Sequence, residues 1–210
     1  MIAETNIWLI NDIISLIIIY FLYCVPKWKK NNYRMFLKTC MYIYFCFVMY
    51  FTLIIPIIIP LPFINTTFSN THIILIPFTG IMSGYERIVE IILNILMFIP
   101  FGIMYPFIYK KSLKITVILA LIIISFIECW QLIAVRNLSY FDITDFINNT
   151  LGAIIGYKIY KKYGENTEKL LKGTFKRNRH FKYIVPNKYK LVFTSCLIIQ
   201  LLIRSITFNY

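Results

Sequence analysis

"YFDITDFINNTLGAIIGYKIYKK", Tyr140 to Lys162, is the stretch on which the reading of the whole chain turns. From Phe146 to Tyr160 it is apolar enough to lie in hydrocarbon, yet it opens on two aspartates and carries two asparagines. At about 100° per residue, Asp142, Asp145, Asn149, Gly152 and Gly156 fall within roughly 80° of one another on a helical wheel. They form one stripe, polar at its first end and small further in. Gly152 and Gly156 make a GxxxG pair, which lets a neighbouring helix approach closely. The aspartates fall in the first turn, where the helix dipole favours negative charge. A plainer role is open to each of them: Asp142 as an N-cap and Asp145 as a first-turn acid in water. As a set on one membrane face, ionisable groups within a span are costly and mark a site.

The surrounding sequence says what such a stripe is embedded in. Of 210 residues, 59% are apolar, and the mean hydropathy is positive. A soluble domain of this size has too little interior for that much apolar surface. The expectation is an all-α fold, a polytopic membrane bundle of five to six transmembrane helices in a multi-pass cell-membrane protein. The apolar runs are 7–25, 36–62, 88–109, 113–134, 143–160 and 190–207. Prolines 56, 60 and 62 end or kink the second run near Pro56. The segment "HIILIPF" in the following loop is too short to span and is expected to dip into the interface. Three parts are expected: 1–71 with two helices and a basic loop, 72–160 as a three-helix core, and 161–210 as a basic loop with a last span. The N-terminus has no basic n-region and carries Glu4 and Asp12, so it reads as a retained helix.

Lysine and arginine orient the spans. Segments 26–38, 109–114 and 158–190 hold 19 of the 22 basic residues, and they alternate correctly if all three are cytoplasmic. That puts the N-terminus outside and leaves Arg87, Arg136 and Arg204 at or near the outer face. The carboxylates sort the other way. Glu4, Asp12, Glu86, Glu90, Glu128, Asp142 and Asp145 lie outward, and only Glu165 and Glu168 are cytoplasmic. Glu90 and Asn94 then begin the third span, and Glu128 and Gln131 end the fourth. Glu128 lies about 22 Å up a roughly 30 Å core. With Arg136 in the short outer loop, the candidate ligand-binding set is Asn94, Glu128, Gln131, Arg136, Asp142, Asp145 and Asn149.

Other chemistries find less support. The five cysteines, Cys24, Cys40, Cys46, Cys129 and Cys196, lie in or beside apolar runs with no metal spacing, and read as apolar filler. His72 and His180 stand far apart, so neither a metal site nor a cofactor is expected. The basic run "KGTFKRNRHFKYIVPNKYK" is the ordinary flank of a span facing anionic lipid, and no nucleic acid is expected as a partner.

Taken together, the motifs resemble the VanZ-like family, named for a teicoplanin-resistance membrane protein. The carriers are Ile76-Pro77-Phe78, Asn94 followed by Phe98-Ile99-Pro100-Phe101-Gly102, and Glu128-Cys129-Trp130-Gln131. Arg136 follows, and then Asp142, Asp145, Asn149, Gly152 and Gly156 in a DxxDxxxNxxGxxxG pattern. The match covers about 72–160; the first two spans and the 161–210 extension carry no family motif. The resemblance implies a bacterial envelope protein associated with resistance to teicoplanin-type glycopeptides. Three functions are weighed on the residues. One is a non-enzymatic protein holding a lipid headgroup, a lipid-linked cell-wall precursor or the glycopeptide antibiotic. Another is a membrane-embedded hydrolase or transferase with Glu128 as general base and an aspartate pair holding a divalent ion. The third is a transporter using Pro100 and Gly102 as a helix break. With no nucleophile motif and no His beside the cluster, the non-enzymatic reading is preferred.

Overall fold

A computed structural model describes residues 13–28, 31–53, 71–78, 85–133 and 139–177. Within them the chain forms five helices and one pair of short strands. Helix α1 covers Ile13–Trp28. Helix α2 is Asn32–Leu53, strand β1 Thr71–Ile74, α3 Tyr85–Tyr109, α4 Leu113–Ile133, β2 Ser139–Asp142 and α5 Ile143–Arg177. The all-α expectation holds at that level. The expected run 190–207, together with residues 1–12, Arg136, His180, Cys196, Arg204 and prolines 56, 60 and 62, lies outside the described residues.

Local chemistry explains the boundaries. In α1 the Val25 N–H reaches back to the Tyr20 carbonyl in a π-turn spanning Tyr20–Cys24. The wide turn comes just ahead of Pro26, which has no N–H to donate and whose ring crowds the turn before it. Asn31 caps α2: its Oδ1 accepts the Arg34 N–H at 3.0 Å, satisfying a donor that the first turn leaves free. Helix α3 runs unbroken through Pro100 and Pro106. It stops at Lys110, whose φ of 53° is left-handed, and whose N–H bonds the Pro106 carbonyl at 2.8 Å. A two-residue step, Lys111-Ser112, then turns the chain into α4.

Helices α3 and α5 form the tightest seam. A Cβ built on Gly152 would overlap the Ile95 carbonyl, one on Gly156 the Ile99 carbonyl, and one on Gly102 the backbone of Ala153. Backbone therefore lies on backbone over two turns, as the GxxxG stripe requires. The interior gathers around this seam, with Phe98, Phe101, Ala120, Ile124, Ile127 and Ala153 buried alongside Val48 and Met41 of α2.

Outside that seam the apolar residues face outward. Ile43 and Phe47 of α2, Ile92 and Leu93 of α3, and Ile122 and Phe126 of α4 are all about half exposed or more. So many large apolar side chains on the surface of successive helices mark a face made for hydrocarbon rather than water. Helices α2 and α3 are long and apolar enough to cross a bilayer, by length and composition. The molecule is accordingly a membrane protein.

Two expectations are corrected. "HIILIPF" is not all loop: its first half is β1, paired in parallel with β2 so that His72 faces Tyr140 and Ile74 faces Asp142. The pairing gives backbone donors and acceptors at the end of the bundle partners that an apolar loop would lack. The segment after residue 160 is not a loop at its start either, because α5 continues as helix to Arg177. That extension is held by Lys110–Glu168 and Lys172–Glu168 ion pairs, and by Phe175 against the rings of Tyr33 and Phe36.

Candidate functional site

The start of α3, the end of α4 and the start of α5 meet at one end of the bundle, and the two strands close over them. Along α4 the buried positions Thr116, Ala120, Ile124, Ile127 and Glu128 recur at three- and four-residue intervals. The stripe that packs α4 inward therefore also carries Glu128 inward. On α5 the stripe begins with Thr144, continues through Asn148 and Asn149, both buried, and passes into Gly152.

Asp142 is the last residue of β2 and the N-cap of α5, so the wheel that put it inside the helix is corrected by one residue. Its Oδ1 accepts the Thr144 N–H at 2.7 Å, and its other oxygen takes the Arg87 guanidinium. Burial alone would push this carboxyl up, but the hydrogen bonds from Thr144 and Arg87 outweigh it and hold it below the usual carboxylate range. Arg87 also donates to Glu90 at 3.0 Å, three residues along α3. Asp145 accepts an N–H from the Asn94 amide at 2.5 Å. Glu128 lies against the Asp142 backbone N–H and in the field of the Asp145 and Asp142 carboxylates.

The Ile76-Pro77-Phe78 turn completes the enclosure. Phe78 holds a left-handed φ of 61°, which is strained for a bulky side chain. Its N–H donates to the Thr144 hydroxyl at 3.0 Å, and Thr144 is fully buried. The turn is thereby tied to the first turn of α5 beside Asp142.

Of the candidate set, the structure brings Asn94, Glu128, Asp142 and Asp145 together, with Asn149 one turn further along α5. Gln131 falls in the last turn of α4; its side chain, like Arg136, lies outside the described residues. The expectation of Arg136 opposite the aspartates lies outside the described residues; among the described residues the guanidinium that reaches Asp142 is Arg87. A signal for it was present. Arg87, Glu90 and Asn94 lie three and seven residues apart and so share one face of α3. Thr144 and Asn148 were also missed, since on the wheel both fall outside the stripe that holds Asp145 and Asn149.

Several buried polar atoms have no partner among the described residues: Glu128 Oε2, Asn148 Nδ2, Asn149 Oδ1, Thr150 Oγ1 and Arg87 Nε. Buried polar groups are ordinarily satisfied, and these five, like Tyr33 Oη at the far end, are unmet among the described residues. No three His, Cys, Asp or Glu side chains converge as metal ligands among the described residues.

Fold and site together define a helical membrane protein whose described residues hold an enclosed cluster of acids, amides and one guanidinium at one end of the bundle. A family model described as VanZ/LLP1 matches residues 41–164, well over half of the chain, and the protein belongs to that family. No curated protein and no solved structure matches it.

Proposed function

We propose that this protein is a multi-pass component of the bacterial cell membrane whose enclosed polar cluster faces outward and holds a lipid headgroup, a lipid-linked cell-wall precursor or a glycopeptide, lowering susceptibility to teicoplanin-type drugs. The observation that carries the reading is the Arg87–Asp142–Glu128 arrangement, buried at one end of the bundle while the lysines gather at the other. Lys110, Lys111 and Lys114 sit where α3 hands over to α4, one helix length from the cluster. Basic residues stay on the cytoplasmic side, which sets the cluster against the exterior. The part involved is 72–160, with the N-terminus outside.

One observation favours a second reading. Glu128 is 2% exposed and keeps an unpartnered oxygen, as a general base awaiting a proton would. On that reading the protein is a hydrolase or transferase acting on a lipid-linked substrate at the outer leaflet.

The test is Glu128→Gln, Asp142→Asn, Asp145→Asn and Arg87→Lys expressed at matched levels, with teicoplanin susceptibility and drug binding to cells followed together. Loss of both in these variants is the expected result; resistance that survives all four changes makes the cluster structural. Turnover of a labelled lipid-linked precursor by purified protein, abolished in Glu128→Gln with binding kept, would establish the enzyme instead. Labelling of a cysteine placed at Ser139 from outside only would check the orientation.

A further inference from the structure

Among the described residues the cluster is unbalanced in charge. Glu90, Glu128, Asp142 and Asp145 face a single guanidinium among the described residues, and Arg87 is already engaged by Asp142 and Glu90. Asp145 receives one neutral N–H, from Asn94. The unpartnered capacity runs the same way. Glu128 Oε2 and Asn149 Oδ1 are acceptors without donors, on side chains 2% and 3% exposed. Asn149 lies one helical turn past Asp145 on the same face, and Glu128 sits within the field of Asp145. Acceptors whose negative charge is uncompensated among the described residues call for a cation that carries its own hydrogens.

A compact divalent ion needs several oxygens at one short distance. An ammonium group does not: its three N–H donors reach separate oxygens. Two orphaned donors, Asn148 Nδ2 and Arg87 Nε, would meet an oxygen on the same ligand.

We propose that the ligand group recognised here is a primary ammonium, with Glu128, Asp145 and Asn149 as its acceptors. The proposal rests on the outward binding site set out above and names the chemistry of its ligand. An ethanolamine-type lipid headgroup and a soluble amine share that chemistry.

The experiment uses the full chain in nanodiscs of phosphatidylcholine and phosphatidylglycerol, with or without phosphatidylethanolamine. Retained lipid is read by mass spectrometry of the intact complex. Ethanolamine lipid is expected to be retained about ten-fold over choline lipid, since trimethylation keeps the charge but removes every N–H donor. Asp145→Asn and Glu128→Gln should each erase most of that preference. A rise in Tm with free ethanolamine in choline-only discs would identify a soluble amine as the source, and selective lipid retention would identify a headgroup. Wild-type protein that neither prefers the ethanolamine lipid nor responds to the free amine overturns the proposal. So does a preference that both variants keep. If the wild type ignores both probes while the variants still alter glycopeptide susceptibility, the ammonium proposal falls and the binding site stands. Variants that change neither sink both.

Discussion

The two ends of the bundle each carry an ion pair, and the pairs differ in kind. At the strand-covered end, the Arg87 and Asp142 side chains are 20% and 5% exposed. At the other end, those of Lys110 and Glu168 are 51% and 20% exposed. The first is walled in by β2, the Phe78 turn and α4; the second is a clasp at the rim, shared with Lys172. A carboxylate enclosed with its partner loses far more when the partner goes than one that can fall back on solvent. An enclosed ion pair is also a weak device for stability alone, because desolvation offsets much of the attraction. Its place among orphaned amides is what supports the proposed site.

The largest effect should come from the glycine seam that joins the two ends. Gly152→Val would drive a branched side chain into the Ile95 carbonyl, and a loss of about 3 kcal/mol or more is expected, measured by unfolding in detergent. A variant as stable as the parent would show that α3 and α5 do not meet backbone to backbone. Next is Arg87→Met, which leaves Asp142 enclosed without its cation. About 3 kcal/mol should be lost, near the lower bound for breaking a buried pair because Arg87 keeps some contact with solvent.

Acid titration sharpens the same contrast. The Asp142 carboxyl is held low in the folded protein, so it binds a proton more readily when unfolded. Its contribution is complete above the unfolded aspartate value of about 3.9 and is lost as pH falls through the lower folded value. Between pH 6 and pH 3 the parent should therefore lose more stability than Arg87→Met does, and equal losses would contradict the pairing. Thr144→Val should cost about 1–2 kcal/mol, by leaving the Phe78 N–H without its acceptor. Faster hydrogen exchange at Phe78 would report it. The smallest change is expected at the far end. Hydrogen bonds from Lys110 and Lys172 hold the Glu168 carboxyl low, but the clasp is open to water. Lys110→Met should cost under about 1 kcal/mol, and the difference should shrink further in salt.

Much of the site was legible before any coordinates, for a definite reason. Asp145, Asn149, Gly152 and Gly156 belong to one helix, and a helix converts spacing into a common face without help from the rest of the molecule. Glu128 was legible as a carboxylate near the end of α4, since counting along a helix gives its height. The strand pair was not. Four residues of β1 align with four of β2 only because α3 and α4, which lie between them in the chain, run out and back and return it to the same end. Nor was the partner of Asp142. Arg87 is fifty-five residues away in sequence, yet it stands on the α3 face that the glycines draw against α5.

Amino-acid order therefore settled what short-range geometry can settle: helical segments apolar enough for a membrane, the sorting of lysines from acids, and a small-residue stripe that continues a polar one. Folding decided which charges meet. A hydrogen bond reaches about 3 Å, and no periodicity along one helix says which residue of another will come that close.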